Sequence, residues 1–177
     1  GSPRPPRSRN CSVRSSRAGM ELQIDWQRLV ESGQTCPRCM QTGDQVRQAA
    51  QTLDAALSPV GIPVRLTESA IALARFQLAP LESNRILLND RTLEQWLGGQ
   101  TGHSQCCDVC GPNDCRTVSV DGESYESIPA ELIVRAGLLA AAEQLGSVDN
   151  GGTCCAPAGD AESAVIPVRA ADGRCCG

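Results

Sequence analysis

The sequence contains no lysine, so all 16 of its basic residues are arginine, a bias we attribute to GC-rich coding rather than to function. Aromatic residues make up only 2 % of the chain, so a core has to be assembled from Leu, Ile, Val and Ala, with Trp26 and Trp96 expected inside it. His103 is the only histidine, and a lone histidine on a cysteine-bearing loop reads as solvated in preference to a ligand. No run of 18 apolar residues exists, which excludes a hydrophobic helix across a membrane. No apolar stretch follows the N-terminal arginines, so no secretory signal is expected. There is no Ser/His/Asp set, no phosphate-binding glycine loop and no paired-carboxylate arrangement. Asp108 and Asp114 read as turn residues rather than acid–base groups.

Cysteine is the abundant residue, with 11 in 177. The count is odd and several cysteines are adjacent in sequence. Two neighbouring cysteines close only a strained eight-membered ring, so a secreted disulfide scaffold fits poorly. A reduced, cytoplasmic thiol protein is the expectation. Net charge is −4, but residues 1–19 carry five arginines and no acid, so the rest is strongly acidic. An acidic body disfavours nucleic acid as a partner.

Gly1-Ser2 reads as a tag remnant and Met20 as a natural start. Residues 3–19, rich in Pro, Arg and Ser, lack an apolar pattern and are predicted to be disordered; Cys11 lies among them. Period-two alternation over residues 21–30 predicts a strand, and a period near 3.6 over residues 36–58 a helix stopped at Ser58-Pro59. Residues 61–66 predict a second strand, placed at a sheet edge or starting late because Pro63 donates no hydrogen bond. Thr67 is a candidate N-cap for a helix through Ile71, Leu73, Phe76 and Leu78, ended by Pro80. Residues 86–88 are wholly apolar, which suits a sheet centre. A turn of helix around residues 92–97 is followed by a cysteine-loaded loop over residues 100–115. Residues 117–120 and 123–125 flank Asp121-Gly122 and predict a hairpin with a type I′ turn. Pro129 opens a helix running through Leu145. This divides the chain into an extension (1–19), a folded domain (20–145) and a mobile tail (146–177) with two cysteine pairs.

Cys36 and Cys39 fall at the first strand-to-helix turn. Unpaired amides and the positive end of the helix dipole favour a thiolate there, as nucleophile or as metal ligand. Cys106, Cys107, Cys110 and Cys115 form a second cluster. It either holds an ion alone or contributes two thiolates to a four-thiolate site with Cys36 and Cys39. The mobile pairs Cys154-Cys155 and Cys175-Cys176 suit soft ions such as As(III) or Hg(II), which accept two or three thiolates.

The order β-α-β-α-β-β-α with C-x-x-C after the first strand resembles the thioredoxin-like plan over residues 20–145. The phrases Trp26-Gln27-Arg28-Leu29, Thr35-Cys36-Pro37-Arg38-Cys39, Leu81-Glu82-Ser83-Asn84-Arg85-Ile86, Cys106-Cys107-Asp108-Val109-Cys110-Gly111 and Glu131-Leu132-Ile133 resemble a bacterial thioredoxin-like, cysteine-rich family of unknown function associated with arsenic and heavy-metal resistance. The tail pairs resemble those of arsenite chaperones and arsenite-sensing repressors. Thioredoxins place a cis-proline where this chain has Ser83-Asn84, and that departure shifts the implied role from disulfide exchange towards metal.

The resulting expectation is an α/β, thioredoxin-like protein that binds a soft metal or metalloid for sequestration, transfer or resistance. Cys36, Cys39 and members of the 106–115 loop would coordinate, and the tail pairs would capture the ion. The alternatives are a thiol–disulfide oxidoreductase or metalloid reductase, with Cys36 attacking and Cys39 resolving, and a zinc-clipped protein-interaction module. An iron–sulfur cluster is a further cofactor option. A thiol reductase or a metal-transfer protein would be the partner.

Overall fold

The computed structural model describes residues 20–106 and 110–148. Expectations that fall on residues 1–19 (Cys11), on Cys107 and Asp108, and on the tail with Cys154, Cys155, Cys175 and Cys176 lie outside the described residues.

Alternating apolar residues build the first strand, β1 (Leu22–Leu29), with Leu22, Ile24, Trp26 and Leu29 all buried. It is followed by helix α1 (Pro37–Leu57), which presents Val46, Ala49, Ala50, Leu53 and Leu57 to the core. Pro37 stands at the start of the helix, where its missing N–H costs nothing. A 3₁₀ turn (Ser58–Val60) leads to β2 (Val64–Ile71), whose eight residues pair in parallel with β1 from Leu22↔Val64 to Leu29↔Ile71. Short helix α2 (Leu73–Leu78), a 3₁₀ turn (Pro80–Glu82), β3 (Arg85–Leu88) and β4 (Arg91–Thr92) follow. These strands form one sheet in the order β2-β1-β3-β4, with β3 antiparallel to β1. Helix α3 (Leu93–Leu97) begins with a capping box between Thr92 and Gln95. A second sheet, in the order β5-β6-β7, comprises β5 (Gln100–Gln105), β6 (Asp114–Val120) and β7 (Glu123–Tyr125). Helix α4 (Ala130–Val148) closes the described chain. Helices α1 and α4 meet so closely that a Cβ on Gly137 would lie 2.5 Å from Leu53 Cδ1.

The protein is thus mixed α/β, as the sequence predicts, and several expectations need correction. Thr67 does not cap a helix: residues 67–71 continue β2, because full-length pairing with β1 satisfies their backbone groups, and only Leu73–Leu78 is helical. Residues 100–105 are not loop but strand. The expected hairpin exists, with Asp121 and Gly122 both at positive φ, as a type I′ turn requires. Its strands join β5 in a sheet of their own and do not extend the first sheet. Residues 86–88 do lie inside the first sheet, between β1 and β4, yet burial alternates, so only one face is covered. Pro63 precedes β2 at the sheet edge, as expected. Trp26 is in the core, whereas Trp96 is half-buried and donates Nε1–H to the Leu88 carbonyl at 2.9 Å. Among the described residues no helix is long and apolar enough to cross a membrane.

A buried ion pair ties the second sheet to α3. Arg116, on β6, places Nη2 2.7 Å from Glu94 Oε1 on α3, and Nη1 2.8 Å from the Leu81 carbonyl. Their side chains are 8 % and 5 % exposed, so each charge depends on the other for compensation.

Candidate metal centre

Cys36 is the N-cap of α1. Its backbone is extended (φ −71°, ψ 156°) and its Sγ accepts the Cys39 N–H at 3.4 Å. A sulfur thereby occupies the place usually taken by a Ser or Asp oxygen. The turn that carries it is anchored: Thr35 Oγ1 donates to the Leu29 carbonyl at 2.7 Å, and Glu31 and Gln34 form an isolated β-bridge. Three further sulfurs come from the β5–β6 connection. Cys106 directly follows β5, Cys110 sits in the connecting turn, and Cys115 is the second residue of β6, opposite Ser104. Gly111 takes φ +63° and Asn113 donates to the Cys110 carbonyl at 3.2 Å, which together curl the turn inward.

The Sγ atoms of Cys36, Cys106, Cys110 and Cys115 all lie within 4.8 Å of one another. The Cys110 and Cys115 sulfurs approach to 3.2 Å. Cys36, Cys110 and Cys115 are 1–2 % exposed and Cys106 is half-buried. Cys36 and Cys39, expected to ligate together, are separated by the helix start. Cys36 points off the helix end into the cluster, while Cys39, three residues on, lies outside the four-sulfur group, with Sγ 3.7 Å from Ser83 Oγ. His103 is exposed and pairs with Asp114 at 2.7 Å, as a solvated histidine would. Asp114 begins β6 and is not a turn residue.

Electrostatics single out Cys36. Hydrogen bonds from the Cys115 thiol, then the Cys39 thiol, then the Cys39 N–H hold it well below the ordinary thiol range. The donors move the other way: Cys115 is pushed up by its bond to Cys36 and by burial, and Cys39 by the same two causes. Burial is the main cause that raises Cys110. Four thiolates at such distances would repel one another unless a positive charge joined them, so the arrangement is compatible with a bound cation.

Two residues that sequence reasoning left without a role hold this arrangement. Arg38, inside the C-x-x-C, donates to Ser104 Oγ at 2.8 Å and to the Gln105 carbonyl at 2.7 Å, and pairs with Glu126 at 2.8 Å. It therefore ties the start of α1 to the strand end that delivers Cys106. Ser83, fully buried, accepts the Leu29 N–H at 2.9 Å and backs Cys39. No cis peptide occurs among the described residues. Arg38 and Ser83 lie inside motifs legible in the sequence, but their contacts depend on which segments meet.

Comparison with known proteins adds three findings. The profile of the family described as "Domain of unknown function (DUF2703)" matches residues 22–137. An uncharacterized protein of Archaeoglobus fulgidus is 40 % identical over 114 residues, covering 64 % of this chain and 83 % of the relative. No solved structure matches.

Proposed function

The chain belongs to the DUF2703 family, and because that family's description names no activity we propose a function from the sulfur site alone: the protein binds a thiophilic metal ion through Cys36, Cys106, Cys110 and Cys115. The supporting observation is the convergence of four sulfurs from two distant parts of the chain. A tetrahedral zinc site with Zn–S of about 2.3 Å has sulfur–sulfur edges of about 3.8 Å. The cluster, spanning up to 4.8 Å with one contact of 3.2 Å, brackets that value. Four thiolates around a divalent ion leave negative charge behind, which the Cys39 N–H and the start of α1 help to offset.

A closed set of four soft donors suits a divalent tetrahedral ion, Zn²⁺ or the softer Hg(II). As(III), which takes three thiolates, would leave one of the four as an exchange ligand. In this reading Cys106, the half-buried member, is where an ion enters and leaves by thiolate exchange. The pairs Cys154-Cys155 and Cys175-Cys176 would serve as donors or acceptors in sequestration or transfer. The order β2-β1-β3-β4, with parallel β1 and β2 and the thiols at the β1–α1 turn, supports a thioredoxin-like reading of the first sheet. The thiol–disulfide oxidoreductase reading needs Cys36 open to the disulfide of a partner protein. At 1 % exposure it is closed to so large a partner, which favours coordination over turnover. A reducing compartment such as the cytoplasm would keep the thiols available.

The test is elemental analysis of anaerobically purified protein, followed by cobalt substitution. One tightly held ion per chain, and thiolate-to-cobalt charge transfer with tetrahedral visible bands, are expected, both lost in Cys110→Ser and Cys115→Ser. Protein that takes up neither Zn²⁺ nor Co²⁺ overturns the proposal.

A further inference from the structure

Among the described residues, Cys39 is the one cysteine that the four-sulfur group leaves over. It is not remote from the site. It is 1 % exposed, its N–H meets Cys36 Sγ at 3.4 Å, and its thiol hydrogen-bonds the same sulfur. On its other side stands Ser83 Oγ at 3.7 Å. A packing role alone would be served by Ala or Val. Here a buried thiol lies against the one member of the group that comes from the start of α1 and not from the β5–β6 connection.

We propose that Cys36 and Cys39 form a redox release switch, in which a hydroperoxide converts the pair to a disulfide and the bound ion loses its Cys36 ligand. The inference rests on the metal-binding reading above and adds regulation to it. In the first step the Cys36 sulfur attacks one peroxide oxygen. The O–O bond breaks, the alkoxide (or hydroxide, from hydrogen peroxide) takes a proton from solvent and departs as alcohol or water, and Cys36 becomes a sulfenic acid. In the second step the Cys39 sulfur attacks the Cys36 sulfur, the S–S bond forms, and the hydroxyl leaves as water with the Cys39 proton. Two electrons pass from the two sulfurs to the peroxide.

A Cys36 sulfenate keeps a negative charge with which to hold the ion, whereas a sulfur in a disulfide does not, so release waits for the second step, and the Cys36–Cys39 bond and the Cys36–metal bond exclude each other. The ion is then held by Cys106, Cys110 and Cys115 alone, all from one β-hairpin connection. Its open position can be taken by a competing thiolate. Reduction by a dithiol restores Cys36 and the site. Cys39 thus acts through Cys36 and is not itself a ligand.

The experiment uses the full chain loaded with Zn²⁺ and cleared of excess metal. It is treated with equimolar hydrogen peroxide, with zinc release followed by a chromophoric chelator and disulfides located by peptide mass mapping. Expected are release of the ion, a Cys36–Cys39 disulfide in matching amount, and rebinding after dithiothreitol and Zn²⁺. Cys39→Ser and Cys39→Ala should keep the ion at the start and lose its release at this dose; two variants guard against a packing defect in either. If both variants release zinc as fast as the parent, or if the disulfide maps to Cys110–Cys115, the switch is refuted while metal binding stands. If the two variants bind no zinc, Cys39 is a ligand and the switch is refuted. If the parent binds no zinc, the metal-binding reading fails and takes the switch with it.

Discussion

Replacing Gly43 with alanine would test how closely α1 is seated on β1, and with it how firmly Cys36 is aimed. A Cβ at Gly43 would lie 2.5 Å from Trp26 Cη2, 2.8 Å from Cζ3 and 3.3 Å from Cζ2. Carbon contacts settle at about 3.5–4.0 Å, so helix or indole has to move by about 1 Å. The indole has little freedom: Trp26 is 1 % exposed and its Nε1–H points to Asn84 Oδ1 at 3.4 Å. Two effects oppose each other. Alanine in place of glycine favours a helix by about 1 kcal/mol, and overpacking a filled core costs about 1–3 kcal/mol. The clash is with a rigid, enclosed ring, so it wins, by about 1 kcal/mol, or a fall in Tm of about 2–4 °C for a chain of this size. Gly146→Ala in α4 is the control, because nothing lies within 4 Å of its Cβ and only the helix preference remains. Thermal unfolding by circular dichroism, with and without saturating Zn²⁺, reads both variants. Because α1 carries Cys36, the extra stability that zinc confers should also shrink in Gly43→Ala. A Gly43→Ala protein as stable as the parent would refute the close β1–α1 contact and the reasoning built on it.

Other perturbations probe different parts of the molecule. Arg116→Ala leaves Glu94 buried without its partner and should cost about 3–5 kcal/mol in chemical denaturation, whereas the double variant Arg116→Met with Glu94→Gln should recover much of the loss. Arg38→Ala frees the end of β5 from the start of α1, so zinc should leave faster in a chelator-capture assay while the fold, seen by circular dichroism, stays intact. The Glu21, Glu68 and Glu82 carboxyls are held below the usual range, each first by a hydrogen bond from an arginine (Arg65, Arg47 and Arg75). Depressed carboxyls contribute stability that is present above their unfolded pKa and lost as pH falls through the folded one. Melting temperature should therefore drop below about pH 4, and high salt should blunt the effect.

How much of this was legible in the sequence depends on whether a segment's conformation is set locally. β1, α1, the Asp121-Gly122 turn and α4 carry their own periodicity or turn chemistry, and they appear where the pattern puts them. Residues 67–71 carry helix-compatible residues and a plausible cap, but the unsatisfied edge of β1 alongside them decides the outcome. β5, with the sequence Gln-Thr-Gly-His-Ser-Gln, has no apolar alternation at all; it is a strand because β6 pairs with it. The same distinction runs through the metal centre. That cysteines at the first strand–helix turn and on the later connection could meet was readable from their clustering. That Cys36 joins and Cys39 does not follows from one residue being an N-cap and the other lying inside the first helical turn, a rotation that spacing alone does not encode.

The two sources of the sulfurs also bear on the order in which the molecule assembles. Three of them lie within ten residues and can gather round an ion on a single hairpin, before distant segments have met. Cys36 can join only by closing a loop of about 70 residues, a slower event that carries the entropy of bringing distant segments together. With a metal bound as proposed, the fourth metal–sulfur bond would therefore be a latch set late, when β1, α1 and α3 are already in place. Once closed, it discourages local opening of the connection between the two sheets, much as a long-range crosslink would. Amide hydrogen exchange in β5 and β6 should record that latch directly, fast with the ion withdrawn and slow with it bound.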